Sequence, residues 1–204
     1  MTKPIPDIVV GRLPIYLRAL TFLAAEGTQV TSSHDLGKRL GISAAQIRKD
    51  LSFFGEFGKQ GTGYNVGYLQ EQISRILKVD QEWLVALIGV GDLGRALARY
   101  GGFAHRGFRV VALFDNDPAK IGQTIGDLEI MSIDRLAEVV RERGIRVAML
   151  TVPAQAAQRI ADVCAAAGIK AILNYAPITL KVPEGALVQH TDPVTHLQRM
   201  TYYL

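Results

Sequence analysis

Trp83–Gly94 reads WLVALIGVGDLG, and its reading decides the fold of the larger part of the chain. Trp83–Ile88 is an unbroken apolar run, the pattern of a parallel strand buried on both faces. Gly89, Gly91 and Gly94 follow at the G-x-G-x-x-G spacing. The first glycine permits the tight turn out of the strand, the second lets a diphosphate approach the backbone, and the third lets a helix pack closely on the strand. Val90, Asp92 and Leu93 complete the loop, whose free N–H groups lie at the positive end of the helix dipole, where an anion is favoured. Asp115 ends the next apolar run, 21 residues beyond Gly94, close to the spacing at which a carboxylate meets the ribose hydroxyls of a dinucleotide. Such an acid repels a 2′-phosphate, so the pattern favours NAD(H) over NADP(H), with Lys120 nearby softening the choice. The blander alternative is a glycine-rich turn with no ligand. Strand, fingerprint, helix and acid in one unit argue against it.

Downstream, apolar runs at Arg109–Phe114, Val147–Val152 and Ala171–Leu173 alternate with helical stretches at Leu93–Phe103, Asp134–Arg143 and Ala154–Ala167. Alternating strands and helices imply an α/β fold with a parallel sheet and right-handed crossovers. Phe114 and Asn116 flank the acid and join the candidate nucleotide site. Thr151, Val152 and Pro153 leave one strand, and Asn174, Tyr175, Ala176 and Pro177 leave another, at the edge where open α/β sheets bind ligands. They are placed at the nicotinamide half of the crevice, with ordinary strand-to-loop punctuation as the other reading. Pro193–Leu204 reads as a last helix with Val194, Leu197, Met200, Thr201 and Leu204 on one face.

Upstream, the first eighty residues read as short helices with tight connections. Pro14 suits the first turn of a helix running to about Ala25, with Leu13, Leu17, Leu20 and Ala24 as its apolar stripe and Gly27 as its stop. Thr31, Ser32 and Ser33 offer caps to a helix from Asp35 to Leu40 that Gly41 closes. Ser43 and Gln46 form a capping box that starts a helix at Ala44, running to about Phe54. This spacing is that of a helix-turn-helix. Phe57–Val66, with three glycines, suits a β-hairpin wing, and Tyr68–Lys78 another helix. In such a winged helix, Gln46, Arg48 and Lys49 are placed to reach base edges, while Ile47, Leu51 and Phe54 face inward. Arg48 suits guanine. Lys38, Arg39 and Lys59 suit phosphate or minor-groove contacts, and Ser43, Ser52, Gly61, Gly63 and Tyr64 complete the candidate DNA-binding set. Each charged residue taken alone also fits a solvated helix face.

Bulk properties exclude several classes. The 204 residues suit two small domains, and the net charge of +4 concentrates in residues 1–80, with ten Lys/Arg against seven Asp/Glu. No segment approaches a membrane span and no signal peptide opens the chain, so a cytoplasmic location is expected. The lone Cys164 rules out an internal disulfide framework and reads as a buried small hydrophobe. His34, His105, His190 and His196 have no metal spacing. Residues 83–190 are occupied by the nucleotide-binding unit, which leaves no region to hold a substrate. The nucleotide itself is then the signal, and no enzyme activity is expected.

The chain resembles the Rex family of bacterial redox-sensing transcriptional repressors over essentially its full length. The matching stretches are Arg12–Arg18 (RLPIYLR), Gln46–Ser52 (QIRKDLS), Phe57–Tyr64 (FGKQGTGY), the glycine fingerprint, Phe114–Pro118 (FDNDP), Thr151–Pro153 and Asn174–Pro177. The resemblance implies a winged-helix domain over 1–80, a Rossmann NAD(H)-binding domain over 81–190, and a helix over 191–204 that swaps into the partner of a homodimer. It implies that NAD⁺ and NADH act as regulatory ligands, with palindromic operator DNA bound in the presence of NAD⁺ and released by NADH. It also implies that Arg18, Tyr100 and Asp192 form a switch in which arginine and tyrosine exchange the aspartate as partner. Pro193, where relatives often carry a bulky apolar residue, and an end at Leu204 without the longer tail of some relatives depart from the pattern. Three alternatives stand beside this reading: a small NAD-dependent oxidoreductase, a CoA- or other nucleotide-responsive regulator, and an architectural DNA-binding protein that uses the Rossmann unit to dimerise.

Overall fold

The structure, a computed structural model, describes residues 5–58 and 61–204. It divides into two compact units, one ending at Gln81 and the other running Glu82–Leu204, each with its own core.

The first unit runs α1 (Asp7–Val10), α2 (Leu13–Ala25), β1 (Val30–Thr31), α3 (Ser33–Leu40), α4 (Ala44–Ser52), β2 (Tyr64–Asn65) and α5 (Val66–Ile76). Side-chain caps start three of these helices: Ser32 accepts from the Asp35 N–H, Ser43 from Gln46 and Asn65 from Tyr68. Each cap satisfies a donor that the first turn leaves without a partner. Leu13, Tyr16, Leu20, Leu36, Ile47, Leu51, Leu69 and Ile73 meet in one core.

Several expectations are corrected here. The inward stripe of α2 is Leu13, Tyr16, Leu20 and Leu23, whereas Leu17 is half-buried and Ala24 exposed. A tyrosine takes the core position because its hydroxyl finds a buried acceptor in Asp50. The capping box at Ser43 is only half made, since the Gln46 amide turns to Asp50. Helix α4 stops at Ser52, and α5 begins two residues earlier than its periodicity suggests. The Phe57–Val66 stretch is not a self-paired hairpin among the described residues; Tyr64–Asn65 pairs antiparallel with Val30–Thr31, which precede the helix-turn-helix. Asp7–Ala25 makes 19 residues that are by length and composition apolar enough to cross a membrane, contrary to the reading that no segment reaches that length. A turn at Gly11–Arg12 divides it, and the inward face of α2 belongs to the core of this unit.

The second unit holds β3 (Trp83–Ile88), α6 (Asp92–Ala98), β4 (Phe108–Asp115), β5 (Thr124–Ile125), β6 (Leu128–Ser132), α7 (Leu136–Arg143), β7 (Val147–Leu150), α8 (Ala154–Ala167), β8 (Ala171–Asn174), β9 (Leu187–His190) and α9 (Pro193–Thr201). The sheet order is β5-β6-β4-β3-β7-β8-β9, parallel except for β5. Without that edge strand this is the doubly wound Rossmann order, which reverses between β3 and β7. Alternate residues of β3 serve opposite cores: Ala86 and Ile88 join one cluster that includes residues of α7 and α8, and Val85 and Leu87 join another that includes Leu97 and Phe103. The helix expected over 93–103 is broken: α6 ends at Ala98, and a 3-10 turn covers Gly101–Arg106. Gly101 and Gly102 are poor continuers of an α-helix, which accounts for the break. Strands β5 and β9 are too short and carry too few apolar residues to stand out in the sequence, and the apolar residues of β6 are interrupted by Glu129. Cys164 is fully buried in α8, and burial pushes its thiol up to about 12.

Candidate functional site

In the first unit α3 and α4 form the helix pair, with Ile47, Asp50 and Leu51 as the buried side of α4. Arg48 and Lys49 are consequently exposed. The Arg48 guanidinium donates to Ser33 Oγ at 2.9 Å. Lys49 has no side-chain hydrogen bond or ion pair among the described residues. Arg48, Gly61, Gly63 and Tyr64 come together, with Ser32, Ser33 and Gly58, around an open cleft of about 700 Å³. Burial pushes the Tyr64 hydroxyl above its ordinary value, against the pull of Arg48. Lys38 and Ser43 lie apart from this cleft, on a second depression of about 490 Å³ with His34, Gly37, Ile42 and Ala44. Arg39 is held by Glu26 through a fork of 3.1 and 2.7 Å. The Ser52 hydroxyl donates to the Lys49 carbonyl. Lys59 lies outside the described residues.

The residues that sequence reading missed sit beneath this surface. Asp50 has a side chain with no exposed area. Its two oxygens accept from Arg12 Nε and Nη2 at 2.5 and 2.7 Å, from the Tyr16 hydroxyl at 2.6 Å and from Gln46 Nε2 at 2.7 Å. Burial alone would raise the Asp50 carboxyl, but the donors from Arg12, Tyr16 and Gln46 hold it below the usual carboxylate range. One signal was readable: a carboxylate one turn after Ile47 and next to Leu51 falls on an apolar face, and buried charges require partners.

In the second unit the glycine loop sits at the strand-order reversal. Gly89 has φ +94°, and a Cβ there would lie 2.7 to 2.8 Å from Val152 and Thr151, so both the turn and the neighbouring strand end demand glycine. A Cβ on Gly94 would overlap the Gly89 carbonyl, while one on Gly91 would meet nothing within 4 Å. Gly91 caps α6, so the N–H groups of Asp92, Leu93 and Gly94 are left without intrahelical acceptors. Thr151 Oγ1 donates to the Gly89 carbonyl at 2.6 Å, which fastens the end of β7 to the loop.

Asp115 is buried at the end of β4. Its Oδ2 accepts from the Val90 N–H at 2.7 Å and from Lys120 Nζ at 3.1 Å, and its Oδ1 from the Asp117 N–H at 3.0 Å. Burial acts to raise this carboxyl, and the Val90 and Asp117 N–H groups and Lys120 outweigh it, holding it below its ordinary range. Beyond meeting a ribose, the acid therefore shapes the loop. Asn116 is exposed beside it, and Phe114 is buried, with its carbonyl accepting from the Gly89 N–H. Val152 is half-buried, and Pro153 and Pro177 are exposed. The buried Asn174 amide organises its own loop: Oδ1 accepts from the Ala176 N–H, and Nδ2 donates to the Ala176 and Ile178 carbonyls. Ala176 is buried, and Tyr175 is half-buried.

Of the three switch candidates, Arg18 belongs to the first unit and Tyr100 and Asp192 to the second. Arg18 is exposed on α2; Tyr100 packs edge-on against Phe103 at 5.0 Å; Asp192 caps α9 by accepting from the Val194 N–H at 2.9 Å. Helix α9 buries no residue, with Val194, Leu197 and Met200 all more than half exposed. No group of three or more His, Cys, Asp or Glu residues among the described residues could hold a metal ion.

Against known proteins, residues 4–52 match the family described as "Putative DNA-binding protein N-terminus" and residues 80–178 the CoA binding domain family. The redox-sensing transcriptional repressor Rex of Chloroflexus aurantiacus is 56% identical over 98% of this chain and 94% of its own length. The chain belongs to the Rex family. Rex of Streptomyces coelicolor is 43% identical over 99% of this chain and 78% of its own. The crystal structure of RSP in complex with β-NAD⁺ and operator DNA is similar, with a TM-score of 0.94 at 36% identity, covering 98% of this chain and 93% of RSP. RSP in complex with β-NADH gives 0.89 at 35%, covering 97% and 93%.

Proposed function

We propose that this chain is a transcriptional repressor that binds palindromic operator DNA as a homodimer and leaves it when NADH occupies the crevice around Gly89–Gly94. It thereby reports the cellular NADH/NAD⁺ balance from the cytoplasm and catalyses no reaction. The observation that carries the reading is the pairing of a helix-turn-helix and a Rossmann glycine loop in one chain whose Rex-family relative RSP takes operator DNA, NAD⁺ and NADH.

The roles follow from the chemistry of each group. Arg48 and Lys49 on α4 contact base edges or phosphates, with Arg48 released from Ser33 to do so. Gln46 and Ser52 sit on the same helix and Ser43 caps its start; Lys38, Arg39 and Lys59 serve the backbone; and Gly61, Gly63 and Tyr64 form the wing. Phosphate contacts position the protein and base contacts specify the sequence. The diphosphate rests on the N–H groups that follow Gly91. Asp115, Asn116 and Lys120 lie at the adenosine ribose, and the loops at 151–153 and 174–177 lie at the nicotinamide. Reduced nicotinamide lacks the ring's positive charge and suits a closed, more apolar crevice. Closure changes the spacing of the two recognition helices of the dimer, through exchange of Asp192 between Arg18 and Tyr100. The uncovered face of α9 docks in the partner subunit. Domain limits of 1–80, 81–190 and 191–204 fit this division of labour.

Linkage makes the mechanism testable: whatever factor NADH removes from operator affinity, the operator removes from NADH affinity. A fluorescent palindromic operator titrated separately with NADH and NAD⁺ is expected to be released by NADH alone. Equal NADH affinity with and without operator would overturn the reading. A CoA-responsive regulator is the second reading, because the CoA binding domain family matches residues 80–178. Displacement of NADH by CoA would favour it.

A further inference from the structure

We propose that Arg12, Tyr16 and Asp50 form a directional clamp that positions α4 for operator reading, so that these three residues, none of them a DNA contact, set the repressor's selectivity. The inference rests on the reading of α4 as the recognition helix.

The buried side of α4 carries Ile47 and Leu51, and between them a carboxylate stands where an apolar side chain would pack more simply. Stability does not explain it. Taking the Asp50 carboxylate out of water is costly, Arg12 keeps part of its side chain in solvent, and well-packed apolar replacements of buried ion pairs are often as stable or more so. Directionality does explain it. Apolar contacts let a helix roll or slide by small amounts, whereas here Arg12 grips both carboxylate oxygens in a fork, and Tyr16 adds a third donor from α2. Gln46 supplies a fourth from within α4, one turn before Asp50. Bidentate, charge-assisted bonds define an orientation as well as a distance.

Arg48 and Lys49 lie within two residues of the clamped position and on the opposite, exposed side of the helix. A guanidinium about 8 Å from a helix axis moves by more than about 1 Å when the helix rolls about 10°. Recognition geometry tolerates only about 0.5 Å and 10–20°. A clamp that removes such a roll therefore acts on the ratio of specific to non-specific binding. Non-specific binding is governed by charge, which the clamp leaves unaltered.

The test replaces the clamp with apolar packing in the full chain, as Arg12→Met, Tyr16→Phe and Asp50→Leu together. Thermal midpoint, NADH affinity, and affinity for operator and scrambled duplex are measured at one salt concentration. The expected result is a folded protein with wild-type NADH affinity and wild-type scrambled-duplex affinity. Its selectivity for operator over scrambled duplex should fall about tenfold, the size of one lost bidentate base contact. Wild-type selectivity in the folded triple variant would overturn the proposal. If that variant does not fold, Arg12→Lys, which keeps the charge and loses the fork, is expected to lose selectivity in the same way; unchanged selectivity there overturns it equally. Arg48→Ala separates the two levels of inference. Undiminished operator selectivity in that variant would remove α4 as the recognition helix, and the clamp's role with it, whereas a loss there with no loss in the clamp variants would refute the clamp alone.

Discussion

The two units each bury one aspartate and use it in different ways. Asp50 is held by side chains alone, from residues 34 and 38 positions away and from one turn of its own helix. Asp115 is held mainly by backbone N–H groups, with Lys120 as its one cationic partner among the described residues. The first joins two helices whose facing surfaces have no backbone donors to offer. The second closes a loop in which the glycines leave backbone donors free. Where a fold must hold helices, side chains carry the directionality; where it must hold a loop for a phosphate, the backbone does.

This contrast predicts unequal costs of removal. Asp50→Ala strands the buried Tyr16 hydroxyl and leaves the half-buried Arg12 guanidinium without its acceptor, which is expected to cost about 3 kcal/mol, the low end of the range for breaking a fully buried pair because solvent still reaches Arg12. Chemical unfolding followed by far-UV circular dichroism checks it. The fluorescence of the single tryptophan, Trp83 in β3, should report little change in NADH binding. Asp115→Ala leaves mainly the Val90 N–H without its acceptor and is expected to cost about 1–3 kcal/mol. It should weaken NADH binding and reduce discrimination against NADPH, while operator binding in the absence of NADH persists. Equal costs for the two variants would break the comparison.

Acid provides a milder version of the same experiment. Both carboxyls lie below their ordinary values when folded, so unfolding takes up protons. Their contribution is complete above the ordinary carboxylate value of about 3.9 and is lost as pH falls through the depressed folded values. Denaturant midpoints measured from pH 6 down to pH 3 should fall, and Asp50→Asn should flatten the decline. A decline unaffected by Asp50→Asn would mean that the clamp carries no acid linkage.

The smallest structural effect is expected from Gly91→Ala. Its Cβ meets nothing within 4 Å and its φ of −81° suits alanine, so the thermal midpoint should stay within about 1 °C of wild type, as for a surface change. NADH binding should nevertheless fail, because the methyl group occupies the space a diphosphate needs. Gly94→Ala is its foil, since the added Cβ overlaps the Gly89 carbonyl, and it should destabilise the second unit by about 1–3 kcal/mol with or without nucleotide.

Much of the architecture was readable because it depends on neighbours in sequence. The β3–Gly loop–α6 succession, the cap at Ser43 and the full length of α8 each follow from residues within a turn or two of one another, whereas Thr31, Ser32 and Ser33 were equal candidates for the cap of α3, which begins at Ser33 rather than Asp35. The strand partner of the wing was not legible because Val30–Thr31 lies more than thirty residues upstream, and two-residue strands leave no periodicity. The inward faces of Gln46 and Asn174 were missed because an amide carries no sign of whether it faces solvent or a buried acceptor. Asp115 was legible as an acid at the right spacing, but its bond to the Val90 N–H was not.

The sequence by itself determined the class of each unit, the position of the glycine loop and the family to which the chain belongs. These rest on backbone torsions, helix and strand periods and local capping, which act over a few residues. Only the tertiary structure decided which side chains are free to meet a ligand and which are already engaged. That choice depends on pairings such as Arg12 with Asp50 and Val90 with Asp115, across 38 and 25 residues, and a buried charge takes whichever partner the completed fold brings within hydrogen-bond reach.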